Sequence, residues 1–216
     1  MVSAVLLMAG KGTRTGLKEN KTLLKINNKP LFMYSMERFL ELNIEVVLVI
    51  NKKEEDIIKK YLNGKDVKIA YGGNTRGESS YNGLLKCSND YVLIHDAARP
   101  FVSREVIKKV ISSYPKPALV YSQVINTIKQ KTPDGIITID RDSLLSAETP
   151  QAALKCDFLK AYKKAFCDKL YNTDDISLIE RYITRNIELI SSSGNKKITT
   201  HEDILEAKVR LGEINV

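Results

Sequence analysis

Apolar residues along this chain fall into short runs separated by amphipathic stretches, and the alternation predicts the elements. Residues 2–8 (VSAVLLM) are a buried strand that ends at Ala9-Gly10 in a glycine loop. Pro30 then opens a helix over 31–42, where Leu31, Tyr34, Met36, Phe39, Leu40 and Leu42 recur near helical spacing. EVVLVI (45–50) is β-branched without alternation, which suits a strand covered on both faces. A helix over 54–62, a strand at 67–71, a helix over 78–87 with Leu84 and Leu85 inward, and a strand at 91–95 continue the series. Ser103 caps a helix beginning at Arg104, and ALVYSQV (118–124) closes the alternation.

Such alternation predicts an α/β fold, a Rossmann-like open and mostly parallel sheet with helices on both faces. The order changes at about 121–147, where Pro133-Asp134-Gly135 separates two β-branched stretches and predicts an inserted β-hairpin arm. The tail holds helices at 157–167 and 175–184, a strand near 187–191 and a last helix after Thr200. With 216 residues and no linker, one domain spanning 1–216 is expected, the arm being an insertion within it.

Composition narrows the class. The 43% hydrophobic and 28% charged fractions are those of a globular protein, and no apolar run approaches the roughly 18–20 residues that cross a bilayer. No charged-then-apolar leader is present, so a soluble, cytoplasmic protein is expected. Cys87, Cys156 and Cys167 are odd in number and lack C-x-x-C spacing, which predicts free thiols that pack as small, half-buried apolar residues. The formal charge is +8, but the lysines are scattered and often stand beside acids, as in Lys52-Lys53-Glu54-Glu55-Asp56. That pattern suits a solvated surface steering small anions and argues against nucleic-acid or membrane partners.

Three segments could carry chemistry. Strand 2–8 runs into Gly10-Lys11-Gly12-Thr13-Arg14-Thr15-Gly16, followed by Lys18 and Lys21. Glycines let a backbone approach phosphate, and Arg and Lys stabilise charge on it, so the loop could hold a triphosphate; an ordinary basic surface turn is the alternative. The spacing is neither a dinucleotide fingerprint nor a Walker A loop. Asp96, in His95-Asp96-Ala97-Ala98-Arg99-Pro100, is the first acid after a buried strand. It therefore sits at the carboxyl rim, where ligands bind, and could ligate Mg2+ or cap the next turn. His95 reads as a structural histidine. Gly72-Gly73-Asn74-Thr75-Arg76 with Ser79-Ser80 could face a base edge or form a plain turn and cap, and the residues do not separate the two.

Taken in order, MAGKGTRTG, Lys21, GGNTR with Ser79-Ser80, HDAARP, DRDSLLSAETPQ, NTDD and GNKKIT resemble the methylerythritol-phosphate cytidylyltransferase family of the non-mevalonate isoprenoid pathway, over nearly the whole chain. The resemblance implies CTP and a polyol phosphate as substrates, Mg2+ as cofactor, and a homodimer with interlocking arms. Carried over by motif, Arg14, Lys21, Arg141 and Lys197 would be catalytic. Met8, Ala9, Gly10, Gly12, Gly73, Asn74, Ser79 and Ala98 would bind CTP. Asp96 would face metal and polyol, with Thr127, Arg141, Thr149 and Thr173 as further polyol contacts, Thr127 and Arg141 reaching the partner's site.

The chain departs from the family pattern at Met8 (usually Ala), Asn20 (Pro), Thr22 (Gln), and Asn74 and Asn126 (both Asp). Without that proline, a more mobile turn before Lys21 is expected. A sister family that uses ribitol 5-phosphate is the alternative, and the Ala97-Ala98 pair favours methylerythritol phosphate over it. A nicotinamide oxidoreductase is disfavoured by the glycine spacing, and a non-catalytic nucleotide-binding module is the remaining rival.

Overall fold

The computed structural model describes residues 1–10, 20–170 and 172–214. Its frame is a seven-stranded sheet in the order β11-β7-β10-β6-β1-β4-β5. These strands are β1 (Val2–Leu7), β4 (Glu45–Ile50), β5 (Val67–Tyr71), β6 (Tyr91–Asp96), β7 (Ala118–Gln123), β10 (Leu145–Leu154) and β11 (Glu188–Ser191). β1 pairs in parallel with both β4 and β6, whereas β10 runs antiparallel to β6 and β7. The chain therefore winds from β1 toward β5 on one side and starts again at β6 on the other. The point of reversal lies between β1 and β6, where open α/β sheets leave a crevice at their carboxyl ends.

Strand alternation sends Ala4, Leu6 and Met8 to one face and Val5 to the other. On the first face pack α1 (Leu31–Leu40), α2 (Glu55–Lys59) and α4 (Arg104–Ser112), contributing Phe32, Met36, Phe39, Ile58 and Ile107. Burying each of these side chains is worth about 1.5–3 kcal/mol. On the second face pack α3 (Arg76–Lys86), α5 (Lys155–Cys167) and α6 (Ile176–Tyr182), through Leu84, Phe158, Tyr162 and Ile179. Ser103 caps α4 as expected, its hydroxyl accepting from Val106 N at 3.2 Å.

Several expectations need correction. The Leu84/Leu85 pair does not share an inner face: Leu84 is buried but Leu85 is exposed. Neighbouring helical residues lie 100° apart, and here α3 approaches the sheet through Gly83, whose Cβ would meet Val5 at 2.5 Å and Val49 at 2.7 Å. The series does not close at β7, because β10 inserts between β7 and β6. The helix expected over 54–62 is a 3-10 turn, Lys52–Glu54, and the short α2. β2 (Lys25–Ile26) and β3 (Lys29–Pro30) form an unforeseen ribbon that turns at Asn27 and Asn28, both with positive φ, which asparagine tolerates. Of the cysteines, Cys87 is buried, but Cys156 and Cys167 are exposed rather than half-buried.

The arm is present as β8 (Ile128–Thr132) paired with β9 (Gly135–Ile139), a separate two-stranded sheet. It leaves the body where Tyr121–Gln123 of β7 face Leu145–Ala147 of β10. Finally α7 (His201–Arg210) closes a third apolar cluster with Ile26, Leu31 and Ile198. Among the described residues no helix is long and apolar enough to cross a membrane.

Candidate active site

A cleft of about 460 Å³ opens at the carboxyl ends of β1 and β6. Met8, Ala9 and Gly10 leave β1 along its floor, Gly73, Asn74 and Ser79 enter from the β5–α3 turn, and Lys21, Asp96, Ala98 and Lys197 complete it. Ten of the residues singled out from the sequence thus share one cavity. Arg14 and Gly12, with the rest of 11–19, lie outside the described residues.

The Asp96 carboxylate stands between two cations. Lys197 Nζ donates to Oδ2 at 2.6 Å, and Arg76 Nη2 approaches Oδ1 at 3.4 Å. Burial alone would raise the Asp96 pKa, but the charges of Arg76 and Lys197 outweigh it and hold the carboxyl well below the usual carboxylate range. Asp96 therefore does not act as a side-chain cap. The following turn closes instead through a backbone bond from Arg99 N to Asp96 O at 2.9 Å.

Behind Asp96 runs a single-file hydrogen-bond chain. Asp96 N donates to Thr149 Oγ1 at 3.1 Å, Thr149 Oγ1 lies 2.9 Å from His95 Nδ1, and His95 Nε2 lies 3.2 Å from the Arg99 carbonyl. A carbonyl only accepts, so Nε2 carries the proton and Nδ1 accepts from Thr149. Burial lowers the His95 pKa to about 4 and keeps the ring neutral. The structural reading of His95 holds. Thr149 is itself buried, with one lone pair of its hydroxyl left over.

Arg76 was visible in the sequence only as the end of a loop. Its Nη2 donates to Asp175 Oδ2 at 2.6 Å, and the Tyr162 hydroxyl donates to the other oxygen of that fully buried carboxylate. Gln151 Oε1 accepts from the backbone N–H groups of Asp175 and Ile176, both at 2.9 Å, and so fixes the start of α6. No local pattern announces a contact between residues 99 positions apart.

The β5–α3 turn is a turn and helix cap, and it also lines the cleft. Thr75 caps α3, accepting from Glu78 N at 3.0 Å, while Ser79 Oγ accepts from Gly73 N at 3.1 Å and donates to Thr75 O at 2.9 Å. The bonded loop still lines the cleft. Gly72 is required there, because a Cβ would meet the Ala9 Cβ at 2.4 Å.

Lys197 reaches Asp96 because its neighbours are held. Lys196 pairs with Asp203 at 2.9 Å, Ile198 is buried and donates its N–H to Ala98 O at 2.8 Å, and Thr200 with Asp203 forms a capping box on α7. The predicted Thr127, Arg141 and Thr173 are exposed and do not line this cleft; Arg141 Nη1 instead donates to Ile125 O at 2.7 Å at the base of the arm.

The described residues at the cleft offer a metal one carboxylate, both of whose oxygens already face cations. Among the described residues no group of three or more His, Cys, Asp or Glu could hold a metal ion. A metal centre held by the described side chains alone does not fit this arrangement.

A cavity so supplied with cations suits a polyphosphate, whose transfer chemistry needs positioning and charge stabilisation more than a nucleophilic side chain. The protein is a nucleotidyltransferase. More narrowly, the chain belongs to the 2-C-methyl-D-erythritol 4-phosphate cytidylyltransferase family, whose model matches residues 2–213. It is 39% identical to the protein of that name from Clostridioides difficile, over 94% of this chain and 91% of that one. With the Aquifex aeolicus protein of the same name it shares 34% identity, over 98% of each. The crystal structure of 4-diphosphocytidyl-2C-methyl-D-erythritol synthase from Anaerococcus prevotii superposes with a TM-score of 0.86 at 30% identity, covering 98% of both chains.

Proposed function

We propose that this chain joins CTP to 2-C-methyl-D-erythritol 4-phosphate, giving the CDP-polyol and pyrophosphate in isoprenoid precursor synthesis. The observation that carries the reading is that Lys21 lines the same cleft, at the sheet's reversal point, in which Arg76 and Lys197 flank Asp96, in a chain of this family. An oxygen of the polyol phosphate attacks the α-phosphorus of CTP in line. A new P–O bond forms, the bond to the bridging oxygen breaks, and its electron pair leaves with pyrophosphate. The nucleophile is already an anion, so the protein's task is to bring two anions together and stabilise the charge.

In this scheme Lys21 and Arg14 stabilise the α-phosphate, and Met8, Ala9, Gly10, Gly12, Gly73, Asn74, Ser79 and Ala98 surround the cytidine. Lys197 and Asp96 face the polyol, and Thr149 holds Asp96 in place from behind. Mg2+ would be supplied with the nucleotide as part of that substrate and would neutralise charge on its phosphates. Among the described residues lining the cleft, Asp96 is the carboxylate that could hold such an ion, and would do so by exchanging one of its cation partners.

Thr127 and Arg141, outside their own chain's cleft, serve the partner's polyol site. The arm supports a homodimer: a two-stranded sheet alone is marginal in water, and this one exposes Ile136 and Ile137, with Ile125 at its base. A cytoplasmic setting suits a chain acting on these substrates. The ribitol-phosphate alternative is not favoured, because the relatives above are named for the methylerythritol compound.

The test is product formation followed by 31P NMR. CTP with methylerythritol phosphate and Mg2+ is expected to yield a diphosphate diester and pyrophosphate, and chelating the Mg2+ is expected to stop it. Turnover with ribitol 5-phosphate but not methylerythritol phosphate would overturn the assignment.

A further inference from the structure

Asn20 stands immediately before Lys21 and is buried, an unusual place for an amide unless its polar atoms are all engaged. They are. Its Nδ2 donates to the Met8 carbonyl at 2.7 Å and to Glu54 Oε2 at 2.9 Å. Its Oδ1 accepts from Thr22 N at 3.1 Å and from the Thr22 hydroxyl at 2.9 Å, capping the 3-10 turn Lys21–Leu23. One side chain thus ties together three elements. They are the end of β1, which is itself anchored by Met8 N donating to Val49 O at 3.0 Å, the 3-10 turn Lys52–Glu54 before α2, and the turn bearing Lys21. From Asn20 onward this segment is fastened, while residues 11–19, which precede it in the loop expected to be mobile, lie outside the described residues.

The geometry has a direction. Met8 and Lys21 both line the cleft, and the amide of Asn20 fixes the spacing between the backbone at one and the backbone of the other. The buried Thr22 lines the cleft beside Lys21, so the hydrogen bonds from Thr22 to the Asn20 amide oxygen hold the lysine's turn at the cleft wall. Without the amide, the Met8 carbonyl and the N–H of Thr22 lose their partners, and the lysine's backbone can shift against the strand end. Transfer rates respond to displacements of this kind because a cation aimed at the developing charge acts only when pre-placed.

We propose that Asn20 is a positioning residue for the transfer step, acting through Lys21 by clamping its turn to the end of β1. The proposal rests on the function assigned above, and the experiment separates the two. Turnover and melting temperature are measured for Asn20→Ala, for the near-isosteric Thr22→Val, and for each again in a Lys21→Ala background. In the native background Asn20→Ala is expected to lower kcat roughly tenfold, with KM for CTP and for the polyol phosphate within about threefold. Thr22→Val is expected to give a smaller loss of the same kind. In the Lys21→Ala background neither substitution should lower kcat further, although each should lower the melting temperature as much as before.

Equal fold-losses in both backgrounds would overturn the proposal, since they would mark a general structural role. So would unchanged kcat in the native background. Should Asn20→Ala not fold, the Thr22→Val pair decides on the same criterion. A native protein that releases no pyrophosphate refutes the assigned function, whereas an active native protein indifferent to both substitutions refutes this proposal alone.

Discussion

Lys197 places its ammonium 2.6 Å from the Asp96 carboxylate across 101 residues of chain, and this contact joins the last segment before α7 to the end of β6. Removing the lysine takes away the 2.6 Å partner of Asp96 Oδ2 and leaves Arg76 facing Oδ1. Charge-assisted hydrogen bonds are worth about 1.5–3 kcal/mol. Lys197→Ala is therefore expected to lower kcat/KM for the polyol phosphate about 10–100-fold while CTP binding, followed by calorimetry, changes little. Lost CTP binding with intact polyol affinity would reverse the assignment of this side of the cleft.

Asp175 is fully buried and bonded by Arg76 and Tyr162. Taking away one partner of a buried ion pair strands the other and costs about 3–5 kcal/mol. Asp175→Ala should lower the unfolding free energy in urea by that order. A loss below about 1 kcal/mol would mean that Arg76 is held by Asp96 alone.

His95 is buried and neutral, its pKa lowered to about 4 by burial. The unfolded chain binds this proton near pH 6.5, so between about 6.5 and 4 the unfolded state carries more protons than the folded one. The stability associated with His95 is therefore complete above pH 6.5 and is lost as the pH falls toward 4, reaching about 3 kcal/mol. Urea unfolding of the native protein and of His95→Gln, compared at pH 7 and pH 4.5, isolates this from the carboxylates. The native protein should lose more stability than the variant; parallel losses would show that His95 does not carry it.

Much of this architecture could be read from residue order because it is local. Asp96 was found from a strand's polar end, Gly10 and Gly73 from loops after strands, and Ser103 from a cap. What escaped was long-range or masked. β10 was hidden because Glu148, Thr149 and Gln151 break the apolar pattern and Pro150 argues against a central strand; the register shift between Ala147 and Gln151 accommodates it. Arg76 and Asn20 were missed as anchors because their partners, Asp175 and Glu54, are distant in sequence.

The arm's role can be tested by complementation. If Arg141 serves the partner's cleft, a heterodimer of a Lys21→Ala chain and an Arg141→Ala chain holds one intact site and one carrying both lesions. Mixing the two weak variants should then restore activity to about half the native value per dimer, given the closed two-fold pairing of identical chains. No recovery from a verified heterodimer would confine Arg141 to its own chain.

The most direct test of transfer in this cleft is steady-state pyrophosphate release by Lys21→Ala with saturating CTP, Mg2+ and methylerythritol phosphate. Loss of one charge-stabilising donor predicts a kcat lower by about 10²–10³ in a folded protein. Native turnover in that variant would place the chemistry elsewhere.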